Sequence, residues 1–333
     1  MIGVDSVQRG APERMDLSVV VCTYNRAELL AETLDALLRQ VVPAELHWEI
    51  LVMDNNSRDR TREVVGRFER VGAVPVRYMF EGRQGLCHAR NSGVKHSRGA
   101  IVAFTDDDVR PAGDWAHGVI LAMREHAADG VGGRVLPRWA LPPPEWLLGN
   151  TGLLGLLALL ESEECSRIER GKGARILGAN MAFRRDLFDA VGGFNTSLGR
   201  IGTKLSGGED TEFVSRAVEA GKVLVYDPRL VVSHYVGPYR MRKSYFRKWR
   251  FDAAENEGMQ PSDICAPRVL GIPLYVFRLL AKQLALWLKA LATRDPGAFQ
   301  RELAIVDSIG FLVGCARNRV RSRREGGMNG PSG

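Results

Sequence analysis

The chain has 333 residues, 45% of them hydrophobic, and a formal net charge of +7, so it is long enough for one large or two modest domains with a sizeable core. Its five cysteines are widely spaced, odd in number and without a C-x-x-C pair. This argues against a disulfide framework or a cysteine-based zinc site and predicts reduced core residues in a cytoplasmic protein. The first 13 residues are polar and lack the apolar core of a signal peptide. We expect a flexible segment over residues 1–15 and no secretion.

Apolar strands alternate with amphipathic helices through the first half of the chain. The predicted strands are Leu17–Cys22, Glu49–Met53, Val76–Phe80 and Ala100–Phe104, and the predicted helices are Glu28–Arg39, Asp59–Arg70 and Gly85–His96. Such alternation predicts right-handed β-α-β units around a mostly parallel α/β sheet flanked by helices. After Gly132 the alternation gives way to a proline-rich stretch, 137–144, and an apolar segment, 146–160.

Three consecutive carboxylates, Asp106, Asp107 and Asp108, follow the predicted strand that ends at Phe104. The carboxyl ends of parallel strands are where open α/β folds hold their ligands. A hard divalent cation relieves the repulsion between adjacent acids and commonly bridges the phosphates of a substrate. A solvated turn or a helix cap is the alternative interpretation of such a run. Taken alone, the acids leave both interpretations open.

Polar groups also follow the first two predicted strands. The first strand is followed by the segment 23–26, Thr-Tyr-Asn-Arg, and the second by the segment 54–59, which begins Asp-Asn-Asn-Ser. In a parallel sheet these ends share one edge with the acids, so we expect the three segments to converge. Each segment alone is also typical of a turn or a helix cap.

Several motifs in order resemble the inverting nucleotide-sugar glycosyltransferases of family 2, which have the GT-A fold. The resemblance covers residues 16–235, which we take as the glycosyltransferase domain. It rests on the opening strand and loop 19–26, the segment 54–57, the segment 85–93, the acids 106–108, the segment 178–185 with 192–194, and the Gly-Gly-Glu-Asp motif 207–210. Each motif is weak alone, and the ordered set is specific.

The resemblance implies a role for individual residues. It places the donor against Thr23, Tyr24, Asn25, Arg26, Asp54, Asn56, Gly85, Arg90, Asp106 and Asp107, and the acceptor near Asn180, Glu209 and Asp210. It implies a divalent metal, Mn²⁺ or Mg²⁺, on Asp106 and Asp108, with His234 as a third ligand. Three consecutive acids leave the metal-binding pair ambiguous, because Asp107 could also be a ligand. A structural hydrogen bond is the alternative role for His234, which follows the predicted strand Leu230–Ser233.

Asp210 is the candidate catalytic base. Inversion requires a base that removes the proton of the acceptor hydroxyl on the face opposite the leaving group. Asp210 follows Gly207 and Gly208 and opens a predicted helix, Thr211–Ala220, whose dipole keeps a carboxylate ionised. Simple capping of this helix is the alternative that local sequence favours. The resemblance favours the catalytic role.

Two other functions fit parts of the sequence. A metal-dependent phosphohydrolase would use the Asp106 and Asp108 pair, yet it prefers Thr or Val where this chain has Arg110. A non-catalytic nucleotide-sugar-binding module of the same fold is the other alternative.

Processive relatives carry a Q-x-x-R-W motif, and the comparable stretch here, 245–249, has the Trp without that Gln or the preceding Arg. We therefore expect non-processive transfer.

Donor and acceptor are predicted only by class. A UDP-sugar is the default, because Asp54 can accept the uracil N–H, and guanosine and thymidine donors remain open. The expected acceptor is a carbohydrate or a lipid-linked sugar in polysaccharide or glycolipid assembly. The sequence leaves the sugar, the linkage and the oligomeric state undetermined.

The C-terminal region, 236–320, is predicted to be a basic and amphipathic helical extension. The segment 240–250 holds six cations, and its position favours contact with anionic headgroups or diphosphate over contact with nucleic acid.

In the apolar segment Gly271–Ala292, Arg278, Lys282 and Lys289 fall within about 40° of one another around a helix. This pattern predicts a helix in the membrane interface, with Leu280, Leu284, Trp287 and Leu288 among the residues facing acyl chains, and a buried helix is the alternative. We expect a cytoplasmic enzyme peripheral on the inner face of the membrane. We expect a disordered tail over 321–333.

Overall fold

The computed structural model describes residues 15–171, 176–200, 202, 204–205, 207–259, 267–269 and 272–327, with side chains described to residue 319. The predicted flexible N-terminus therefore lies outside the described residues except at Met15. The chain divides into two compact units. The first contains the segments up to Pro137, 160–196 and 209–234, and the second contains 138–159, 197–208 and the chain from Tyr235 onward.

The first seven strands and helices of the N-terminal half agree with the predicted elements to within one or two residues at most ends, and the last three were not predicted. In chain order, these elements are β1 (Leu17–Thr23), α1 (Ala27–Leu38), β2 (Trp48–Asp54), α2 (Thr61–Val71), β3 (Val76–Phe80), α3 (Leu86–His96), β4 (Ile101–Asp106), β5 (Val109–Pro111), α4 (Trp115–Glu125) and β6 (Gly130–Trp139). The apolar segment 146–160 contains two short helices, α5 (Glu145–Leu148) and α6 (Thr151–Leu156).

The remaining elements complete the sheet and form the C-terminal helices. They are β7 (Ser166–Arg167), β8 (Met181–Arg184), α7 (Arg185–Val191), α8 (Glu209–Glu219), β9 (Leu224–Val236), a 3₁₀ turn (Pro238–Met241), α9 (Lys243–Met259), β10 (Arg268–Val269), β11 (Ile272–Pro273), α10 (Leu274–Ala292) and α11 (Ala298–Gly327). Helix α11 extends seven residues into the segment predicted to be disordered, so that prediction is wrong for 321–327, and 328–333 lie outside the described residues.

The central sheet has the strand order β3-β2-β1-β4-β8-β6-β9-β5, with β7 paired to β9. Strands β3, β2, β1 and β4 are parallel, whereas the pairs β4–β8, β6–β8, β5–β9 and β7–β9 are antiparallel. The α/β class is confirmed, but the expectation of a mostly parallel sheet holds only for the first four strands. The strand–helix alternation that produces parallel crossovers ends after β4, which explains the change.

Buried side chains on both faces of the parallel strands form the core. This core holds in place the edge of the sheet that carries the polar loops. All seven residues of β2 are buried, and α1 buries Leu30, Leu34 and Leu37 at helical spacing. Each such side chain stabilises the fold by roughly 1.5–3 kcal/mol. Edge-to-face and stacked aromatic pairs, with centroids 4.6–6.3 Å apart, extend this core and involve Phe104, Phe183, Phe188, Phe194 and Phe213.

In the second unit, α9 packs closely on α11. A Cβ atom on Gly258 would lie 2.3 Å from the Phe311 carbonyl oxygen, and one on Gly314 would lie 2.1 Å from the Glu255 carbonyl oxygen. Ion pairs span the same helices, from Arg247 to Glu302 at 2.5 Å and from Arg250 to Asp307. These small residues let the two backbones approach, and the ion pairs flank the contact.

Most cations of the segment 240–250 have acidic, aromatic or carbonyl partners within this unit, although only Arg240 is buried. Arg240 is buried and donates to the Leu157 carbonyl at 3.0 Å, and Lys248 pairs with Asp252 at 2.6 Å. The Lys243 ammonium lies 5.0 Å from the centroid of the Phe299 ring. The cations stabilise helix packing because acidic and aromatic partners lie on neighbouring turns and helices.

Helix α10 is mostly exposed, with only Val276 and Ala290 buried. Eight large apolar side chains of this helix are exposed by 40–54%, namely Leu274, Tyr275, Phe277, Leu279, Leu284, Leu286, Leu288 and Leu291. The alternative of a buried helix is therefore wrong. Among the described helices, none combines the length and the apolar character needed to cross a membrane.

Candidate functional site

The register of the parallel strands places three polar loops side by side. Thr23 at the end of β1 pairs with Asp54 at the end of β2, and Cys22 pairs with Asp106 at the end of β4. The loops that follow these strands therefore leave the sheet at the same edge. Convergence of the segments follows directly from this register.

A tight turn carries the acids. Asp106 ends β4, Asp107 and Asp108 form the turn, and the short strand β5 begins at Val109. Because β5 pairs antiparallel with β9, Val109 lies opposite His234. The His234 Nε2 atom is consequently 3.1 Å from Asp108 Oδ1.

Asp106, Asp108 and His234 form a set that fits a divalent cation. One ligand atom from each lies within 4.8 Å of the others, and the side chains of Asp108 and His234 are only 4% and 2% exposed. Asp106 is 30% exposed, so the set opens to solvent on its side. Two carboxylate oxygens and an imidazole nitrogen suit Mn²⁺ and, with more water ligands, Mg²⁺.

Asp107 lies inside the fold, and Arg26 provides its counter-charge. Its carboxylate accepts hydrogen bonds from Thr23 Oγ1 at 2.8 Å and Arg26 Nη1 at 3.1 Å, and its carbonyl accepts from Thr33 Oγ1. Burial raises the pKa of Asp107 to about 6, although Arg26 opposes this change. Asp107 is 5% exposed, so its predicted contact with the donor is not supported.

Arg26 supplies a positive charge to the acidic turn. Besides Asp107, its Nη1 lies 2.8 Å from Asp108 Oδ2. The charge of Asp107 raises the pKa of the guanidinium, and burial opposes it. The side chain is 37% exposed, which leaves part of the guanidinium available to a ligand.

The loop after β2 holds Asp54 firmly. Ser57 N–H donates to Asp54 Oδ1, and the Tyr78 hydroxyl donates to Asp54 Oδ2, each at 2.8 Å. Burial raises the pKa of Tyr78, and the hydrogen bond to Asp54 adds to this effect, so the hydroxyl stays a donor. Asn56 has a positive φ of 70°, a conformation that Asn tolerates well.

The segment after β1 is tied to the same loop. Asn25, with a φ of 53°, accepts from the Arg58 N–H at 2.7 Å, and its own N–H donates to Ser57 Oγ at 2.9 Å. Tyr24 is 36% exposed at the edge of this loop. The bonds of Asn25 therefore join the first two loops, in which Tyr24 is exposed and Thr23 and Asp54 are buried.

Gly85 opens α3, the helix that carries Arg90. Its φ of 142° favours glycine, and its N–H donates to the buried Asn55 Oδ1 at 2.7 Å. Asn55 also donates to the carbonyls of Glu81 and Arg83, which fixes the loop between β3 and α3.

Arg90 connects the acidic turn with α8. The guanidinium is 3% exposed, and its Nη1 lies 2.9 Å from Glu209 Oε1. Its Nη2 lies 3.8 Å from Asp106 Oδ1, and Cζ lies 5.5 Å from the centroid of the Phe194 ring. Burial opposes the charge, but the neighbouring acids raise the pKa of Arg90 overall. Arg90 therefore remains a fixed cation between two carboxylates.

Asp210 stands in the first turn of α8, next to Glu209. Its Oδ2 accepts a hydrogen bond from the N–H of Gly178 at 3.0 Å, and its Oδ1 accepts one from the N–H of Thr211 at 2.7 Å. A Cβ atom on Gly178 would lie 2.1 Å from Arg90 Nη2, so only glycine fits here without moving the guanidinium. Gly178 thus orients Asp210 and makes room for Arg90.

Asn180 has a structural position, and the prediction that it contacts an acceptor is wrong. The side chain is 1% exposed. Its Oδ1 accepts from Trp115 Nε1 at 2.8 Å, and its Nδ2 donates to the carbonyls of Arg134 and Leu230. These bonds use both polar groups of the amide inside the fold.

Tyr78 and Thr33 contribute to the site but were not predicted from the sequence, and Gly178 was predicted only as part of the segment 178–185. The sequence contains a clue to the role of Tyr78, because this residue lies two positions before the end of β3 and so lies near the edge of the sheet that carries the polar loops. Thr33 lies on the buried face of α1, where a hydroxyl needs a partner. The role of Gly178 depends on the position of Arg90, which is distant in sequence.

A sequence profile described as Glycosyl transferase family 2 matches residues 18–192. The chain belongs to glycosyltransferase family 2. A glucosyl-dolichyl phosphate glucuronosyltransferase of Haloferax volcanii is 30% identical over 246 residues, covering 68% of this chain and 71% of the relative. The succinoglycan biosynthesis protein ExoM of Rhizobium meliloti is 29% identical over 251 residues, covering 74% of this chain and 75% of that protein.

The fold agrees with this membership. The mannosyltransferase PcManGT from Pyrobaculum calidifontis, solved in complex with GDP-Man and Mn²⁺, superposes with a TM-score of 0.52. The two chains share 21% identity, with 96% of this chain and 77% of that chain covered. The predicted GT-A fold and family are confirmed. The protein is a glycosyltransferase that uses a nucleotide-sugar donor, and this sets aside the phosphohydrolase and the binding module.

Proposed function

We propose that this family 2 member is an inverting, metal-dependent enzyme that transfers one sugar, without processivity, from a UDP-sugar to an acceptor hydroxyl. The observation that carries the proposal is the position of Arg90. Its guanidinium lies between Asp106, in the candidate metal set, and Glu209, the neighbour of Asp210. The candidate leaving-group site and the candidate base are thereby linked through one buried cation.

Asp106, Asp108 and His234 would hold Mn²⁺ or Mg²⁺, and the ion would neutralise the diphosphate leaving group. The partly exposed Arg26 offers additional positive charge at the same turn. The loops 23–26 and 54–57, with Gly85 behind them, would form the surface for the nucleoside. Both oxygens of Asp54 already accept hydrogen bonds, so a uracil N–H would share an oxygen with Ser57 or Tyr78.

Asp210 would take the proton of the acceptor hydroxyl. The Gly178 N–H donates to its Oδ2 and so orients the carboxylate in the first turn of α8. Glu209 is held by Arg90 and would position the base rather than receive the proton. Direct displacement by the activated hydroxyl inverts the anomeric carbon.

The names of two relatives support the setting of the reaction. One relative is a glucuronosyltransferase whose name includes a glucosyl-dolichyl phosphate, and the other belongs to succinoglycan biosynthesis. They favour a carbohydrate or lipid-linked acceptor in polysaccharide or glycolipid assembly.

A panel of nucleotide sugars tests donor and mechanism together. Purified protein is incubated with each donor and an acceptor mixture, with Mn²⁺, Mg²⁺ or a chelator, and nucleotide release is measured. We expect one UDP-sugar to react with metal present, and proton NMR of the product to give the opposite anomeric configuration. A retained configuration contradicts the single displacement.

Asp210→Asn separates binding from catalysis. The amide keeps the shape of the side chain but cannot accept the proton, so donor affinity should remain while transfer falls by about 100-fold or more. Asp189→Asn, which changes an acid on α7, serves as the matched control. Near-normal turnover of Asp210→Asn contradicts the role of the base.

We also propose that α10 contacts the membrane surface on the cytoplasmic side. At 100° per residue, the exposed side chains of Phe277, Leu284, Leu288 and Leu291 fall within about 60° of one another. The exposed cations Arg278, Lys282 and Lys289 form a stripe centred about 130° away around the helix. Separate apolar and cationic faces are typical of helices in a membrane interface.

Point variants test the membrane contact without removing α11, which packs on α9. Co-sedimentation with anionic liposomes at low salt should capture the wild type, and Leu284→Glu with Leu288→Glu should abolish capture. Val71→Glu changes a side chain that is 79% exposed in the first unit, and it should leave capture unchanged. A wild type that ignores anionic liposomes contradicts the membrane contact.

A further inference from the structure

A second group of metal-ligand side chains lies on the first unit. His126 follows α4, Cys165 precedes β7, and Asp227 lies within β9. From their geometry we infer that these three residues form a Zn²⁺ site that shares no residue with the acidic turn. The sequence spacing gave no sign of it, because the ligands lie 39 and 62 residues apart in the chain.

Two of the distances between donor atoms are close to those of tetrahedral zinc. His126 Nε2 lies 3.1 Å from Asp227 Oδ2 and 3.7 Å from Cys165 Sγ, and the three donor atoms lie within 4.8 Å of one another. Bonds of about 2.0 Å to N and O and about 2.3 Å to S, at a tetrahedral angle, separate the donor atoms by roughly 3.3–3.7 Å. One ion therefore reaches all three with small side-chain movements.

The same ring nitrogen faces both other side chains, and this favours a metal over a nucleophilic triad. In a Cys-His-Asp triad, the thiol and the carboxylate contact opposite nitrogens of the imidazole. Here Nε2 is the ring nitrogen that contacts both Cys165 Sγ and Asp227 Oδ2. Three donors directed at one point form a coordination site.

Contacts independent of a metal already hold the ligands in place. Asp227 is 1% exposed, and its Oδ1 accepts from the backbone N–H and Nε of Arg229, each at 3.0 Å. The segment before Cys165 is fixed by Tyr226, whose hydroxyl bonds both the N–H and the carbonyl of Ser162 at 3.1 Å. Strand β7 then pairs with β9, with Ser166 opposite Tyr226.

The donor types select the metal. Imidazole and thiolate favour Zn²⁺ over Mg²⁺ or Mn²⁺, and three protein ligands leave a position for water because Cys165 faces solvent. Binding releases the thiol proton, and the imidazole carries its proton on Nδ1. The Arg229 guanidinium also contacts Asp227 Oδ2 at 2.6 Å, so its repulsion of the ion should make the zinc exchangeable. The ion would join α4, the segment before β7, and β9.

Cobalt is the probe, because a thiolate–Co²⁺ bond gives a near-ultraviolet charge-transfer band that oxygen and nitrogen ligands do not. The full-length protein is treated with a chelator under phosphine reduction, freed of the chelator and titrated with Co²⁺, and then with Zn²⁺. We expect one equivalent of Co²⁺ to produce the band and Zn²⁺ to abolish it. Asp108→Ala, which disrupts the other site, should retain the band.

Cys165→Ser should remove the band, and the matched control Cys315→Ser should keep it. Asp227→Asn should weaken Co²⁺ binding by about tenfold or more. Because Cys165 is exposed, its replacement by Ser should leave folding intact, and circular dichroism checks this. Absence of the band in the wild type, or its persistence in folded Cys165→Ser, overturns the inference.

Discussion

Gly178→Ala is a small change that should disable the site. The added Cβ would lie 2.1 Å from Arg90 Nη2 and 2.9 Å from Cζ. A flexible arginine would avoid such a clash cheaply, but this guanidinium is 3% exposed and bonded to Glu209 at 2.9 Å. The Ala variant must therefore displace the buried ion pair between Arg90 and Glu209.

The magnitude follows from the distances. To restore a contact of 3.4 Å with the added Cβ, Arg90 Nη2 must move by about 1.3 Å. A movement of this size is enough to break the bond between Arg90 Nη1 and Glu209. Overpacking a filled site costs roughly 1–3 kcal/mol, and breaking a buried pair by loss of one partner costs roughly 3–5 kcal/mol. Glu209 keeps some contact with the displaced cation, so we expect a loss of about 3 kcal/mol in the free energy of unfolding.

Activity should fall further than stability alone requires. Asp210 accepts the N–H of Gly178, so a shift of this backbone also moves the candidate base. A misplacement of about 1 Å can cost about 100-fold in rate.

Urea denaturation and initial rates of nucleotide release measure the two effects. Gly113→Ala is the matched control, because nothing lies within 4 Å of its added Cβ. If Gly178→Ala matches Gly113→Ala in both assays, Arg90 is not confined as we describe.

Three further predictions concern the acidic turn and the cysteines. Asp108→Ala should weaken binding of a nucleoside diphosphate with Mn²⁺ by more than about tenfold in calorimetry, since the metal loses a charged ligand, and unchanged affinity would contradict the metal set. Folding of the metal-free protein raises the pKa of Asp107 from 3.8 to about 6. The neutral carboxyl therefore stabilises the folded state fully below pH 3.8. This contribution of about 3 kcal/mol is lost as the pH rises through 6. Asp107→Asn should therefore gain stability relative to wild type between pH 4 and pH 7 in thermal melts, and a constant difference would refute the shift. Burial raises the pKa of Cys22 and Cys87 to about 12, so neither should react with a thiol reagent at neutral pH in the folded, chelator-treated protein. Burial also raises the pKa of Cys165, but its thiol is exposed, so it should be labelled first; mass mapping of labelled peptides distinguishes the three.

The parallel half of the sheet was predictable because its signals are local. The strand Val76–Phe80 agrees with its prediction at both ends, and the acids follow β4 as the apolar run before them indicates. Parallel pairing then brings the strand ends together by geometry alone. The alternation of elements was therefore sufficient to locate the site.

Roles that depend on distant contacts were less accessible. Three consecutive acids left the metal-binding pair open, and only the turn geometry directs Asp107 towards Thr23 and Arg26. Asn180 was assigned to the acceptor side because the segment 178–185 resembles that part of the family, whereas its amide is hydrogen-bonded to Trp115 and two backbone carbonyls. Such assignments require the register of antiparallel strands, which short-range patterns do not encode.

The contact of Arg26 with the acidic turn has a consequence for the order of binding. The turn is already charge-compensated, since one guanidinium nitrogen lies 3.1 Å from Asp107 and 2.8 Å from Asp108. A free divalent ion entering alone would meet the repulsion of this resident cation. A diphosphate that arrives with the ion offers Arg26 new anionic partners and so removes the conflict. Metal and donor should therefore bind synergistically, each strengthening the other, with the bare ion held weakly and the ion–nucleotide complex held well.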